Sequence, residues 1–191
     1  MADNNNNEGN RTIYLCGEID EGKCENIAKD ILRITEEDDI KDKEQKKYKR
    51  NPIHLYIQSC GGNCFEGFAL YDLIINSKTP VYTYVTGWAA SMAFVLFVAG
   101  KKRYISKHAT LMIHQPSHFM YGKYKDIKEN QDMIDWIYNT VMNIVQERTS
   151  ISKKEIDDMT DKKRDIYYHQ EEAIKKKIAT EVYEKRGNGK E

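Results

Sequence analysis

The stretch Gly87–Phe94, GWAASMAF, sets one serine hydroxyl, that of Ser91, among small apolar residues. Such a hydroxyl is either a small core filler or a nucleophile, and the eight residues alone do not choose. A nucleophilic serine needs an imidazole to take its proton. The imidazole needs a carboxylate to hold its tautomer, and the developing oxyanion needs fixed N–H donors. Candidates lie elsewhere in the chain. His114 closes the run TLMIH, just before Gln115-Pro116. Gly61 and Gly62, after IHLYIQSC, can bring bare backbone close to a substrate. Ser91 follows a Gly-x-Ala-Ala turn, so its N–H and that of Met92 fall at a helix N-terminus, where free donors and the positive end of the dipole gather. For the carboxylate, composition offers many choices. Each residue also has a plainer reading: core or cap for the serine, structure for the histidine, a turn for the glycines.

Something must bring these groups together. RTIYLCG reads as a strand closed by Gly17, and Cys24, Ile27, Ala28, Ile31 and Ile34 then recur at helical spacing. The charged run TEEDDIKDKEQKKYKR either extends that helix or forms a solvated connector, the second being at least as well supported. IHLYIQ alternates as a strand, SCGGN turns it, and CFEGFALYDLIINS is helical. VYTYVT is a strand after Pro80; Gly87 then opens an apolar helix that contains Ser91 and ends at Gly100. A helix apolar all round belongs inside the fold. KKRYISKHATLMIHQP reads as two short strands around a turn at Lys107 and His108, with KKR a solvated turn. Beyond Pro116 the chain becomes helical. Ile127, Ile134, Ile137, Val141, Ile144 and Val145 form one stripe over about 125–148, a face suited to a partner subunit. Ser152 with Glu155 is a capping-box pattern, and HQEEAIKKKIA is a last short helix. Strands alternating with helices predict an α/β fold.

The totals narrow the class. The chain's 191 residues make one domain of ordinary size. With 30 Lys plus Arg against 30 Asp plus Glu, the net charge of zero argues against a general nucleic-acid binder. The start, MADNNNNEGN, lacks the marks of a secretory signal, and the longest apolar run is too short to span a bilayer. Four cysteines in that setting suggest reduced thiols and a cytoplasmic location. Cys60 and Cys64 have a C-x3-C spacing but no second pair follows, so no metal site is expected.

Three segments change the weighting. IHLYIQSCGGNCFEGFALYD, GWAASMAFVLFVAGKKRYIS and ATLMIHQPS follow one another in order. Together they resemble the proteolytic subunit of the Clp protease family, whose patterns run close to YINSPGG, GQAASM and MIHQP. The resemblance covers about Arg11 to Val182. It implies roles residue by residue: Ser91 as nucleophile, His114 as base, and Asp165, in DKKRDIYYHQEEA, as the third member of the triad. Gly62 and Met92 match the oxyanion-hole backbone donors, and no metal or cofactor is implied. The same likeness implies an α/β, crotonase-like superhelix of β-β-α repeats over residues 11–183. A projecting handle helix at about 123–148 meets its counterpart where two heptameric rings stack. Polar tails would occupy 1–10 and 184–191. Substrates would be peptides or unfolded proteins, with no nucleic acid or membrane partner.

Departures from the pattern bear on specificity and partners. Cys60 replaces a proline, Trp88 a glutamine and Ala93 a glycine, all expected to border the substrate cleft. KKKIATEV loses the glycine of the usual YGLID. MADNNNNEGN stands where family members carry an apolar axial segment for an AAA+ unfoldase, so docking to such an ATPase does not follow. Phage-type relatives that process capsid proteins, and a non-catalytic subunit of a mixed ring, are the alternative expectations.

Overall fold

The computed structural model describes residues 10–116 and 123–184. The tails expected at 1–10 and 184–191 thus lie outside the described residues, apart from Asn10 and Glu184. The chain runs β1 (Thr12–Cys16), α1 (Glu21–Glu44), β2 (Ile53–Ser59), α2 (Cys64–Asn76), β3 (Val81–Ala90), α3 (Met92–Ala99), β4 (Lys102–Ile105) and β5 (Thr110–Ile113). Then follow α4 (Tyr124–Arg148), α5 (Lys153–Lys162), β6 (Ile166–His169), α6 (Gln170–Lys175) and β7 (Glu181–Val182).

One sheet carries the strands in the order β1-β2-β3-β4-β7, all parallel. The long β3 serves two neighbours. Its first half pairs with β4, its last three residues with β5, and β5 in turn pairs antiparallel with β6. The fold is α/β, as the alternation of strands and helices requires. Inward positions such as Leu15, Leu55, Val85 and Ile105 are fully buried. On the opposite face Tyr14, Tyr56, Tyr84 and Tyr104 stand in register and stack across four strands, with ring centroids 5.4, 4.5 and 4.7 Å apart. Every residue of α3 is buried, so this helix is the centre of the core. α4 buries Ile137, Val141, Ile144 and Val145, so much of the stripe faces this chain's own core. The side chain of Ile127 lies outside the described residues.

Several local expectations are corrected. Of the two readings left open for the charged run, helix extension holds as far as Glu44, where α1 ends, with Asp38 as a buried anchor. Arg11 and Tyr48 both donate to Asp38, and Thr79 Oγ1 donates to Asp38 Oδ2 at 2.7 Å. KKR is no solvated turn, since Lys102 and Arg103 belong to β4. Arg103 is 8% exposed and donates to the carbonyls of Gly100, Arg148, Lys177 and Ile178. Gly87 does not open a helix; β3 runs through it to Ala90, and α3 begins only after Ser91. The region beyond Pro116 is not purely helical, for β6 and β7 join the sheet.

The missing glycine of KKKIATEV has a structural consequence. Lys177 N–H donates to Ile174 O at 3.0 Å and Ile178 N–H to Ala173 O at 2.8 Å, the paired bonds of a Schellman cap on α6. That cap requires a left-handed residue, and Lys177 takes it with φ 54°. Lys177→Gly is therefore expected to stabilise the fold by about 1 kcal/mol, a rise in Tm of about 2–4 °C in a melt monitored by circular dichroism. An unchanged or lowered Tm would show that the lysine side chain contributes more than its backbone strain costs.

Candidate active site

Three parallel strands end on one side of the sheet, and the candidate residues sit just past those ends. Ser91 follows β3, His114 follows β5, and the glycine pair follows β2. β6 runs the other way, so its preceding residue, Asp165, arrives at the same edge. Crevices outside the carboxyl ends of parallel strands are where α/β folds bind ligands.

Ser91 adopts φ 56° and ψ −126°, a conformation that costs a non-glycine residue about 1–3 kcal/mol. Its backbone is clamped on both sides. Ser91 N–H donates to Met112 O at 2.9 Å, and Ser91 O accepts from Phe94 N–H at 2.9 Å. Its side chain makes no capping bond to α3 and is half-buried. A cap would make that bond, and a core filler would be fully buried. A sharp strand-to-helix turn of this kind is also the form of nucleophile-bearing turns.

The glycine loop packs directly against that turn. A Cβ on Gly61 would stand 2.7 Å from Ser91 Cβ, 2.9 Å from Ala90 O and 3.1 Å from Met92 N. At Gly62, with φ 150°, a side chain would collide with the backbone of Ile19. The loop is pinned to the segment after β1: Ile19 N–H donates to Gly61 O at 2.8 Å and Asn63 N–H to Ile19 O at 2.9 Å. Gly61 N–H is committed to Ser59 Oγ at 3.1 Å. Among the described residues, neither Gly62 N–H nor Met92 N–H has an acceptor, whereas Ser91 N–H, read with Met92 as a free donor at a helix N-terminus, is taken by Met112 O. Gly61→Ala should cut hydrolysis by about 10²-fold or more without unfolding the chain, because the added methyl must displace Ser91. Steady-state kinetics beside a melt would check it; full activity would place the glycine loop away from the reacting atoms.

His114 and Asp165 are brought together. Ile113 pairs with Ile166, and His114 and Asp165 line one small cavity of about 210 Å³ with Gln115, Pro116, Lys163 and Arg164. The histidine loop is tied down by Gln115 Nε2, which donates to Thr160 O at 2.8 Å, while Tyr138 and Thr160 share a hydroxyl bond of 2.5 Å. Among the described residues, the exposed Asp165 accepts only a long bond of 3.5 Å from Tyr167 OH. No hydrogen bond among the described residues joins Ser91 Oγ, His114 and Asp165.

Beside these residues runs a groove of about 450 Å³ between the glycine loop and α4. Phe65, Pro116, Met133, Ile134 and Ile137 form its apolar walls, and Gly62 and the exposed Glu18 also line it. Cys60, Trp88 and Ala93 do not line it. Cys60 is exposed, Trp88 leans on Tyr167 at 6.1 Å, and Ala93 is fully buried in α3. Sequence reading missed Glu18 and read Ile134 and Ile137 as packing residues. The helical period marked α4's apolar face but not what lay opposite it. The thiols offer no rival nucleophile within the core. Burial pushes Cys24 up to about 11, with Glu66 and Asp20 adding to the effect, and burial raises Cys64 as well.

A strained serine turn, a glycine loop with a free donor, and a cavity shared by a histidine and a carboxylate thus lie at one strand-end edge. A model of the Clp protease family matches residues 5–186. The chain belongs to the Clp protease family. Membership places it among serine-type peptidases that take peptide or protein substrates and build ring oligomers. No helix among the described residues of this Clp protease chain is long and apolar enough to cross a membrane.

Proposed function

We propose that this chain is a serine endopeptidase working through an acyl-enzyme. Ser91 Oγ attacks the scissile carbonyl while His114 takes its proton and then returns it to the leaving amine. Asp165 holds the His114 tautomer, and the N–H groups of Gly62 and Met92 receive the oxyanion. The observation that carries this reading is the conformation of Ser91: a strained, uncapped serine whose backbone is clamped against a glycine loop with a free N–H. Water then attacks the acyl carbon with His114 again as base, and Ser91 is regenerated. The arrangement fits a single domain over 11–183, built as a crotonase-like superhelix with α4 as its handle. Two stacked heptameric rings in the cytoplasm complete the proposal.

The unlinked side chains of Ser91, His114 and Asp165 favour one second reading, a subunit that is silent until a partner or substrate aligns it. Catalytic hydrogen bonds often tighten only once substrate is bound. Intact mass after incubation with a fluorophosphonate probe separates the two readings: a labelled assembled protein is competent by itself, an unlabelled one is not.

A further inference from the structure

We propose that Glu18 makes the groove select a substrate side chain with an apolar stem and a cationic head, lysine or arginine, on the residue whose carbonyl Ser91 attacks. The proposal rests on the acyl-enzyme reading, since Gly62 lies both in the groove and at the oxyanion position.

Among the described residues that line the groove, Glu18 alone is charged. It reaches the groove because it follows the left-handed Gly17 at the end of β1 and is held beside the glycine loop, with its Cγ 3.0 Å from where a Gly62 side chain would begin. Among the described residues Glu18 has neither an ion-pair nor a hydrogen-bond partner. Lys23 feels its charge at longer range, but its ammonium is held by Asp20. The remaining polar side chains of the lining are the neutral Asn63, Cys64 and Asn130, and Asn63 Oδ1 already accepts from Phe65 N–H and Glu66 N–H.

The walls and Glu18 ask for different things of one occupant. Phe65, Met133, Ile134 and Ile137 favour methylenes. A purely apolar occupant that filled the groove would strip water from the Glu18 carboxylate and return no bond. A lysine lays its stem along the walls and brings its ammonium to that carboxylate. A glutamate occupant meets like charge at Glu18. Because Glu18 is exposed, the discrimination expected is modest, about fivefold between lysine and norleucine, which keeps the four-carbon stem and lacks the ammonium.

The test uses the full chain carrying Ser91→Ala and fluorescein-labelled Ala-Ala-X-Ala-Ala peptides with X as lysine, norleucine or glutamate, read by fluorescence polarisation. Lysine should bind about fivefold more tightly than norleucine, with glutamate weakest. The lysine preference should vanish in Glu18→Gln and turn to glutamate in Glu18→Lys, a reversal that a merely structural role for Glu18 would not produce. Norleucine binding as well as lysine, an unchanged ratio in Glu18→Gln, or no binding of the lysine peptide overturns the proposal. Fluorophosphonate labelling of the otherwise wild-type chain, run in parallel, keeps the two readings apart. Labelling with a failed ratio removes the specificity alone, and a held ratio without labelling removes the catalytic reading alone.

Discussion

Wild-type protein incubated with a fluorophosphonate should gain one adduct by intact mass, Ser91→Ala should gain none, and His114→Ala should label at least about 10³-fold more slowly. An ordinary serine hydroxyl does not react at neutral pH without a neighbouring base, so single-site labelling reports activation and not exposure. Hydrolysis of a peptide substrate should fall by about 10⁴-fold or more in either variant. Members of a catalytic set act as a unit, and losing one forfeits most of what the set provides. Ser91 is the position at which this is expected because its turn has no simpler use. Its side chain caps nothing, and its backbone holds φ 56° only because Met112 O and the Gly61 loop bracket it. Equal labelling of His114→Ala and wild type would remove His114 as the base. Labelling at a residue other than Ser91 would move the nucleophile itself.

The second large effect concerns the fold. Asp38→Ala is expected to destabilise the protein by about 3–5 kcal/mol, since it leaves the Arg11 guanidinium, whose side chain is 10% exposed, without its buried counter-charge. Loss of the Tyr48 and Thr79 bonds adds to this. In a melt that is a fall of about 10 °C. The same group makes stability depend on pH. Burial alone would raise the Asp38 pKa, but the bonds from Arg11, Tyr48 and Thr79 outweigh it and hold the carboxyl at about 2, below its unfolded value. A depressed carboxylate contributes fully above the unfolded value, near 4 for aspartate, and its contribution fades as pH falls through about 2. That window carries about 2 kcal/mol. Denaturant titrations at pH 7, 4 and 2 should show the wild type losing this much more than Asp38→Ala does. A parallel decline in both would mean the network contributes nothing that depends on charge. Exposed pairs such as Lys153 with Asp157 should matter far less, within about 0.5 kcal/mol.

What can be read without coordinates follows from how local the cause is. The period of apolar residues marks α3 as a core helix, β2 as a strand and α4 as amphipathic, because burial of one face is written into residues a few positions apart. The Ser152–Glu155 capping box is local in the same sense, and it forms as read. The three ordered motifs around Gly62, Ser91 and His114 are short and self-contained, so the family was legible and the family match agrees. The strand IYYH was not. β6 has four residues and pairs only with β5, a partner more than fifty positions earlier. Yet this strand brings Asp165 to His114.

The sequence by itself determined the α/β class, the buried helix behind Ser91, and the order of the motifs that identify the family. Tertiary structure decided the rest. Asp38 looked solvated within a run of charges until Arg11, 27 residues before it, and Thr79, 41 after it, closed around its carboxylate. Arg103 looked like part of a surface turn until four backbone carbonyls received it. Ser91 was read inside a helix, and the Met112 and Gly61 contacts set it in a strained turn before one. Glu18 carried no local signal, because a groove has no sequence of its own. In each case the environment that gives a polar residue its role comes from segments far along the chain. A charge pattern records the residue, and only the folded chain supplies its partners and removes its water.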